Sequence, residues 1–342
     1  MWTDSAASRF GARSFTLPKP RCPSHVAFAS ALLVLGLVAE RTSVPAAASD
    51  SVVADVHAAI DAGDLARASA IVSERRSSQG VTPEIAEAVS VLGSAALAAG
   101  DLDQAIGSAR EAERLALDLL GSRPVDRDTH LAAALGASIE VQAQAMARKG
   151  DRSEALYFLQ RELETYTNTP LHKKIQKNIN LLTLAGHPAP ALDTSESLGM
   201  PSPTLGSLKG QVVILFFWAH WCPDCKIQGP ILATLLEKYR AAGLTMVAPT
   251  QRYGYIEAGS VASPDDELRH IVSIRDTYYP FLGAVPVPLS ENNHKQYGVS
   301  STPTLVILDR AGIVQLYHPG RMTEGELEQA VRPLLDPRYG QQ

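Results

Sequence analysis

Two cysteines, Cys222 and Cys225, stand two residues apart in the segment Trp-Cys-Pro-Asp-Cys at 221–225. Thiols at this spacing can close a small disulfide with little movement of the backbone, so the pair can store and release two electrons. The third cysteine of the chain, Cys22, lies near the amino terminus, in a segment that we expect to be removed. The cysteine content therefore predicts a reactive pair without a framework of structural disulfides.

The residues on either side of the pair predict the elements that hold it. The apolar run 212–218 is rich in β-branched and aromatic residues, which is typical of a buried strand. The segment 227–239 has apolar residues at helical spacing. A strand, a short loop and a helix in this order would place Cys222 at a helix amino terminus, where the helix dipole and free backbone N–H groups favour a thiolate.

The wider pattern around the pair predicts an α/β domain. A Pro- and Gly-rich linker at 186–190 breaks helical structure, and we place a second domain from there to the end, at 186–342. Its alternating elements favour a central mixed sheet with helices on both faces. We expect strands near 212–218, 244–249, 304–308 and 313–317, the last two forming an antiparallel hairpin, and helices near 226–241, 264–277 and 323–335.

An Ala- and Leu-rich stretch at 49–185 predicts a separate all-α domain. A Gly-Asp step recurs three times in it, as Gly63-Asp64, Gly100-Asp101 and Gly150-Asp151. Glycine suits the left-handed end of one helix, and aspartate suits the start of the next. Around the middle copy we expect two helices, at 83–99 and 102–120, and a last helix at 173–184 would close the domain. The unit around the middle copy resembles a tetratricopeptide (TPR) repeat, although the copies are unevenly spaced. A generic helical bundle without a peptide groove is the alternative.

Residues 1–48 have the pattern of a signal peptide. A basic start is followed by the uncharged run 26–39 and by three alanines at 46–48 that offer a cleavage site. We therefore expect a periplasmic or otherwise exported protein, in a compartment where disulfides form and persist. If 26–39 is not cleaved, this run could instead anchor the chain to a membrane. The net charge of −5 argues against a nucleic-acid partner.

The region 186–342 resembles the thioredoxin superfamily, and more closely the exported TlpA/ResA-type thiol–disulfide oxidoreductases. The motif around the cysteines and a Thr-Pro motif about eighty residues later are together far more specific than a lone C-x-x-C pair. The residues that carry the resemblance are Leu208-Lys209-Gly210, Phe217 to Lys226, Pro230, Tyr297-Gly298-Val299 and Thr302-Pro303-Thr304, with 305–312 after them.

The resemblance implies thiol–disulfide exchange and assigns a role to each site residue. Cys222 would attack a substrate disulfide and Cys225 would resolve the mixed disulfide. Pro303 would be cis and face the pair, Thr302 would set the backbone beside it, and Trp221 would offer an apolar contact to the substrate. The substrates would be protein disulfides, and reduction is the direction that the family favours. A membrane-bound thiol donor would supply electrons, with no cofactor, and the helical repeats would bind a partner protein.

One residue departs from the family pattern. The family commonly has a buried glutamate three residues after the second cysteine, and this chain has Gln228 there. Phe216 stands where ordinary thioredoxins have a buried aspartate. An amide cannot exchange a proton as a carboxylate does, so deprotonation of Cys225 would need another base. Asp224 is a weak candidate, since we expect it to point outward. We therefore expect slow chemistry at neutral pH.

Three other functions compete with this interpretation. A zinc site would need four ligands, and only His220 lies near the cysteines in sequence. A peroxiredoxin-like peroxidase would resemble the motif P-x-x-x-(T/S)-x-x-C, but Leu215 stands at the proline position and Ala219, without a hydroxyl to orient peroxide, at the Thr/Ser position. A binding scaffold with an idle thiol site is the third. A cluster of tyrosines could add a substrate-contact patch, although loop and core packing is the simpler interpretation: Tyr253, Tyr255, Tyr278 and Tyr279.

Overall fold

A computed structural model of the protein describes residues 51–257 and 260–336. These residues belong to a single compact unit. The predicted signal peptide at 1–48, with Cys22 and the possible anchor at 26–39, lies outside the described residues. Across the described ranges, no helix combines the length and the apolar character that spanning a membrane requires.

The first part of the described chain is helical throughout, as the sequence predicts. Each helix packs against the next one along the chain. The predicted helices at 83–99 and 102–120 are confirmed, and the predicted last helix begins and ends one residue earlier than expected. The helices are α1 (Val52–Asp61), α2 (Leu65–Gln79), α3 (Pro83–Ala99), α4 (Leu102–Leu120), α5 (Thr129–Lys149), α6 (Arg152–Thr165) and α7 (His172–Thr183).

The recurring Gly-Asp steps are the turns that connect α1 to α2, α3 to α4 and α5 to α6. Gly100 adopts the left-handed conformation at φ 84°, which costs glycine little. The side chain of Asp101 then accepts a hydrogen bond from the backbone N–H of Gln104 at 3.0 Å. Asp64 caps α2 in the same way, whereas Asp151 makes no such bond at the start of α6. Three successive helix pairs are thus confirmed, and their assignment to TPR repeats stays a prediction.

Small side chains bring these helices close together. Gly93 of α3 faces α4, and a Cβ added to Gly93 would lie 3.3 Å from the backbone nitrogen of Ala109 on α4. Alanines make up much of the buried surface between the helices. Because an alanine side chain has no rotamers, its burial costs no side-chain conformational entropy. The fully buried alanines include Ala68, Ala86, Ala88, Ala96, Ala105, Ala109, Ala112, Ala116, Ala134 and Ala145.

The second part of the described chain alternates strands and helices. The predicted strands and helices are all present with ends shifted by a few residues, and the sequence did not predict β1, β4 or α10. The elements are β1 (Ser197–Leu198), β2 (Val212–Phe217), α8 (Pro223–Tyr239), β3 (Leu244–Val247), α9 (Pro264–Tyr278), β4 (Val287–Pro288), α10 (Glu291–Gln296), β5 (Thr304–Leu308), β6 (Val314–Pro319) and α11 (Glu324–Leu335).

The main sheet has the strand order β3-β2-β5-β6. Strand β2 pairs in parallel with β3 and antiparallel with β5, so the sheet is mixed. Strands β5 and β6 form the predicted antiparallel hairpin, and β1 pairs with β4 in a separate two-stranded sheet. Since β2 is central, its carboxyl end delivers the following loop and its cysteines to the middle of one sheet edge.

Helices cover both faces of this sheet, as predicted. Val212, Ile214 and Phe216 of β2 pack in one core with α8, α9 and α11. The alternate residues of β2 face a second core on the other side of the sheet, where Phe217 meets the ring of His294 on α10. Burial on both faces explains why the sequence of β2 is an unbroken apolar run.

The helical part and the sheet part meet along α7. Gly298, just after α10, has φ +59°, and a Cβ added there would lie 2.2 Å from the backbone nitrogen of Lys177. The side chain of Asn180 also donates a hydrogen bond to the carbonyl of Gln296 at 3.2 Å. Only glycine fits at position 298, because both its backbone conformation and its contact with α7 exclude a side chain.

Candidate active site

The cysteine pair lies at the amino terminus of α8, where the sequence predicts it. Cys222 is the N-cap residue and Pro223 begins the helix, a position that proline favours because its missing N–H has no helical partner to lose. The sulfur of Cys222 accepts a hydrogen bond from the backbone N–H of Cys225 at 3.0 Å. An N–H group aimed at this sulfur, together with the helix dipole, stabilises negative charge on Cys222.

The two cysteines are joined by a disulfide, and their Cα atoms are 5.3 Å apart. Cys222 is 1% exposed and Cys225 is fully buried. The helical turn that contains them therefore accommodates the bond within ordinary disulfide geometry for Cα atoms. A pair placed in this way can alternate between dithiol and disulfide while the backbone of α8 stays in place.

The loop before β5 brings Thr302 and Pro303 to the cysteines. The Thr302–Pro303 peptide bond is cis, and the carbonyl oxygen of Thr302 lies 3.3 Å from the sulfur of Cys222. The carbonyl of Pro303 accepts a hydrogen bond from the N–H of Gly320 at 2.8 Å, which ties this loop to the segment after β6. The cis bond and the contact between Thr302 and Cys222 agree with what the resemblance implied, and the roles of Thr302 and Pro303 in substrate binding stay a proposal.

Aromatic side chains lie in and beside the loop that carries the pair. Trp221 is 43% exposed, and its ring meets the edge of Tyr253 with 5.4 Å between centroids. His220 is buried, its Nε2 lies 2.9 Å from the carbonyl of Tyr255, and burial lowers the pKa of its imidazole. The neutral imidazole is therefore a packing element of the active-site loop at neutral pH.

The four tyrosines named above do not form one patch. Tyr253 and Tyr255 lie beside Trp221 and His220, whereas Tyr279 is buried against Trp218 in the core. Burial raises the pKa of the Tyr279 hydroxyl well above its usual range. Tyr279 is therefore excluded from any surface next to the cysteines, whereas Tyr278 is exposed and the centroid of its ring lies 4.1 Å from the Nζ of Lys226.

Gln228 occupies the position that bears glutamate in the resembling family. It is fully buried one turn along α8 from Cys225. Its Oε1 accepts a hydrogen bond from the backbone N–H of Met322 at 2.8 Å, while its buried Nε2 has no hydrogen-bond partner. Phe216 is buried in the core. Asp224 points outward as predicted, half exposed and paired with Arg321 at 3.3 Å.

Sequence reasoning missed Glu267, a carboxylate of α9 that is only 1% exposed. It accepts hydrogen bonds from the backbone N–H groups of Tyr253 and Gly254. The carboxylate thereby holds Tyr253 next to Trp221, although no motif links residues so far apart in the chain. In the described part of the chain, no three His, Cys, Asp or Glu side chains are grouped as a metal site would require.

Comparison with known proteins agrees with this geometry. Residues 184–332 match the family model described as Redoxin. The thioredoxin-like protein YneN of Bacillus subtilis (strain 168) is 31% identical over 144 residues, which cover 42% of this chain and 76% of the relative. The thiol–disulfide oxidoreductase ResA of Bacillus thuringiensis subsp. konkukian is 27% identical over 130 residues, covering 38% of this chain and 67% of the relative.

Among solved structures, the chain is similar to a thiol:disulfide interchange protein of the thioredoxin family from Chlorobium tepidum TLS. That match has 20% identity and a TM-score of 0.33, and it covers 44% of this chain and 97% of the other. The cysteine pair at the start of α8, the cis-proline loop beside it and the similarity to YneN and ResA lead to one assignment. The chain belongs to the TlpA/ResA-type thiol–disulfide oxidoreductases of the thioredoxin superfamily.

Proposed function

We propose that this oxidoreductase reduces disulfides in exported proteins, with Cys222 as nucleophile and Cys225 as resolving thiol. The observation that supports this assignment best is the setting of the Cys222 sulfur. It receives the N–H of Cys225 at 3.0 Å and lies 3.3 Å from the carbonyl of Thr302. The first contact stabilises a thiolate, and the second places that thiolate beside the loop where a substrate chain would lie.

The proposed reaction has two exchange steps. In the reduced protein, the thiolate of Cys222 attacks one sulfur of a substrate disulfide, and the other substrate sulfur leaves as a thiolate that takes up a proton. The thiolate of Cys225 then attacks the Cys222 sulfur, which closes the protein disulfide and releases the second substrate thiolate. The substrate gains two electrons and two protons, and the protein loses them.

Deprotonation of Cys225 is the slow step of this reaction. Cys225 is fully buried, and burial without a charged partner disfavours a thiolate. The side chain below it is the amide of Gln228, which cannot accept the proton. Asp224, the nearest carboxylate in sequence, is turned outward to Arg321. Proton loss from Cys225 would then depend on hydroxide or water entering the site.

Substrate contacts are proposed for Trp221, Thr302 and Pro303. The exposed face of Trp221 offers apolar area next to the cysteines. Pro303 lacks an N–H group, so the neighbouring backbone at Thr302 can pair with an extended substrate segment without competition. Both contacts would hold the substrate disulfide within reach of Cys222.

Export, the electron donor and the division into domains complete the proposal. We infer that residues 1–48 direct export, with retention through 26–39 as the alternative, and that the donor is a membrane-bound thiol protein. The helical domain at 49–185 would serve as a partner-binding module for the redox domain at 186–342. Cell fractionation together with amino-terminal sequencing of the mature protein tests this part, and a cytoplasmic protein that retains Met1 would contradict it.

Reduction of insulin by dithiothreitol tests the chemistry. The wild-type protein should accelerate the reaction, Cys222→Ser should abolish the acceleration, and Cys225→Ser should accumulate mixed disulfides on Cys222. Cys22→Ser is the matched control and should behave as wild type. Retention of activity by Cys222→Ser would contradict the assignment. Rapid consumption of peroxide would favour the peroxidase alternative, and inertness in both assays would favour a binding scaffold.

A further inference from the structure

A cavity of about 290 Å³ opens directly beside the cysteine pair, and both parts of the molecule line it. Trp221 and Thr302 form the side next to the cysteines. The beginning of α7 and the residue before it also line the cavity, with Leu171, Lys173 and Lys174. The helical part therefore forms one wall of a cavity whose lining includes Trp221 and Thr302, the neighbours of Cys222.

This wall is held firmly in place. The backbone of α7 at Lys177 touches Gly298 so closely that no side chain fits between them. The loop from Gly298 to Thr302 follows immediately, so α7 and the loop beside Cys222 share a rigid boundary. The Nζ of Lys173 also donates a hydrogen bond to Oε1 of the buried Gln251 at 3.1 Å. The distance between the wall and the cysteines is therefore set by packing.

Lys173 carries a charge that its surroundings balance only in part. Its nearest carboxylate is Glu291, at 3.8 Å, and the same carboxylate lies closer to Lys295, at 3.3 Å. The side chain of Lys173 is 23% exposed, and burial lowers the pKa of its ammonium group from the ordinary value. A desolvated lysine with a shared partner gains more from an added carboxylate than a fully hydrated one does.

The charge of Lys174 is also only partly balanced, by a carboxylate that it shares with another lysine. Its Nζ lies 3.8 Å from Glu140, and Glu140 makes a much closer ion pair with Lys177. Glu87, the other carboxylate that acts on Lys174, is paired with His130. Along this wall two carboxylates are thus each shared by two lysines, in a protein whose net charge is −5. The groove is locally positive on an acidic molecule.

A second cavity extends the groove away from the cysteines. Its volume is about 440 Å³, and it shares Pro170 and Lys173 with the first cavity. Lys295 and Glu291 lie on its far side. Together the two cavities offer room for several residues of an extended chain, and lysines line both of them.

We propose that Lys173 and Lys174 select protein substrates in which acidic side chains lie within a few residues of the cysteine attacked by Cys222. The inference rests on the proposed reductase function and adds the substrate class. The helical part acts in this scheme as a component of the active-site groove. Trp221 contacts the apolar portion of the bound segment, and the two lysines pair with its carboxylates.

Three disulfide-containing peptides of equal length test the proposal, with glutamates, glutamines or lysines beside the cysteines. The measurement is the second-order rate constant with which each peptide oxidises the reduced full-length protein. We expect the glutamate peptide to react about tenfold faster than the lysine peptide at low salt, and the difference to shrink at high salt. Lys173→Gln with Lys174→Gln should remove the difference in rate between the glutamate peptide and the lysine peptide.

Lys209→Gln with Arg240→Gln is the matched control, since it also removes two positive charges, from exposed positions that do not line the groove. It should retain the wild-type preference. Lys173→Glu with Lys174→Glu should invert the preference, which loss of folding would not do. Equal rates for the three peptides, or a preference that survives the double glutamine variant, would overturn this inference alone. Failure of all three peptides to oxidise the wild-type protein would overturn the proposed function as well.

Discussion

The helical part and the sheet part of this molecule differ in how far apart in the sequence their contacting residues lie. Helices α1 to α6 are connected by short turns, and each packs against its successor along the chain. The active site instead joins residues from distant segments, because Cys222 meets Thr302 across 80 positions and Gln228 meets Met322 across 94. Local structure can therefore form the first part, whereas the site exists only when the whole second part is folded.

The hydrophobic cores of the two parts differ in the size of their buried side chains. Alanine accounts for much of the buried surface among the helices, whereas the largest fully buried side chains lie in or beside the sheet. They are Trp218, Tyr279, Tyr297, Phe216 and Phe217. Large interlocking rings resist displacement more than alanines do, since each makes many contacts at fixed geometry. The comparison indicates a rigid redox core and a helical part whose contribution is the wall that it presents at α7.

The largest expected effect comes from the junction of the two parts. Gly298→Ala must push α7 away, since the new Cβ would fall 2.2 Å from the backbone nitrogen of Lys177. We expect it to lower the free energy of unfolding by about 3 kcal/mol or more. Urea denaturation followed by circular dichroism and by tryptophan fluorescence measures the loss in each part.

Gly312→Ala is the control for that change. Gly312 also has a positive φ, +83°, but nothing lies within 4 Å of an added Cβ. It should cost only about 1 kcal/mol, the penalty of the left-handed conformation itself. Equal losses for the two variants would show that the contact with α7 does not hold the parts together.

The second prediction concerns acid sensitivity of the sheet part. Burial lowers the pKa of His294 to about 3, whereas in the unfolded chain the imidazole has its ordinary pKa of 6.5. Between these two pH values the unfolded state binds a proton on His294 that the folded state does not bind. The free energy of unfolding therefore falls as the pH drops from about 6.5 toward 3. The loss should reach about 2 kcal/mol at pH 5 relative to pH 7.

Denaturant titrations at pH 7 and pH 5 measure this effect. In His294→Gln the difference between the two pH values should shrink by that amount, whatever the variant costs at pH 7. Exposed His187 offers the matched control, because His187→Gln should leave the difference as it is. An undiminished pH difference in His294→Gln would assign the acid sensitivity to other groups.

The third prediction concerns the amide below the cysteines. Gln228→Glu keeps the oxygen that accepts the N–H of Met322 and replaces an Nε2 that has no partner. A carboxylate in this position can take the proton of Cys225, so we expect about a tenfold faster resolution step at neutral pH. Stopped-flow oxidation by a substrate disulfide measures it.

Gln211→Glu, which introduces the same charge at an exposed position, is the control for that variant and should leave the rate unchanged. If Gln228→Glu resolves the mixed disulfide at the wild-type rate, proton removal from Cys225 is not the slow step.

The smallest expected effect lies in the helical part. Asp101→Ala removes a side chain that accepts the N–H of Gln104 and should cost about 1 kcal/mol. Asp151→Ala removes an aspartate at the equivalent turn that makes no such bond, and it should cost much less. Thermal unfolding of the two variants compares them directly, and equal losses would mean that helix capping does not explain the recurring Gly-Asp steps.

Much of the architecture could be predicted because its signals are local. The apolar run of β2, the spacing of α8 and the Gly-Asp turns each depend on residues within one or two turns of chain, and all of them are confirmed. The short strands β1 and β4 and the helix α10 were not predicted, because two to six residues carry too little periodicity. The position of Pro303 beside Cys222 was inferred from resemblance, since spacing alone cannot place a loop from so distant a segment.

By itself, the sequence determined the types of the elements, the cysteine pair at a helix start and the family to which the chain belongs. Those features follow from side-chain periodicity and from a motif confined to a few neighbouring residues. Only the tertiary structure decided that Glu267 supports Tyr253, that Gln228 keeps an unpaired amide group, and that the beginning of α7 lines the same cavity as Trp221. Each of these depends on packing between segments far apart in the chain, where close contact and burial, and not local pattern, determine which groups meet.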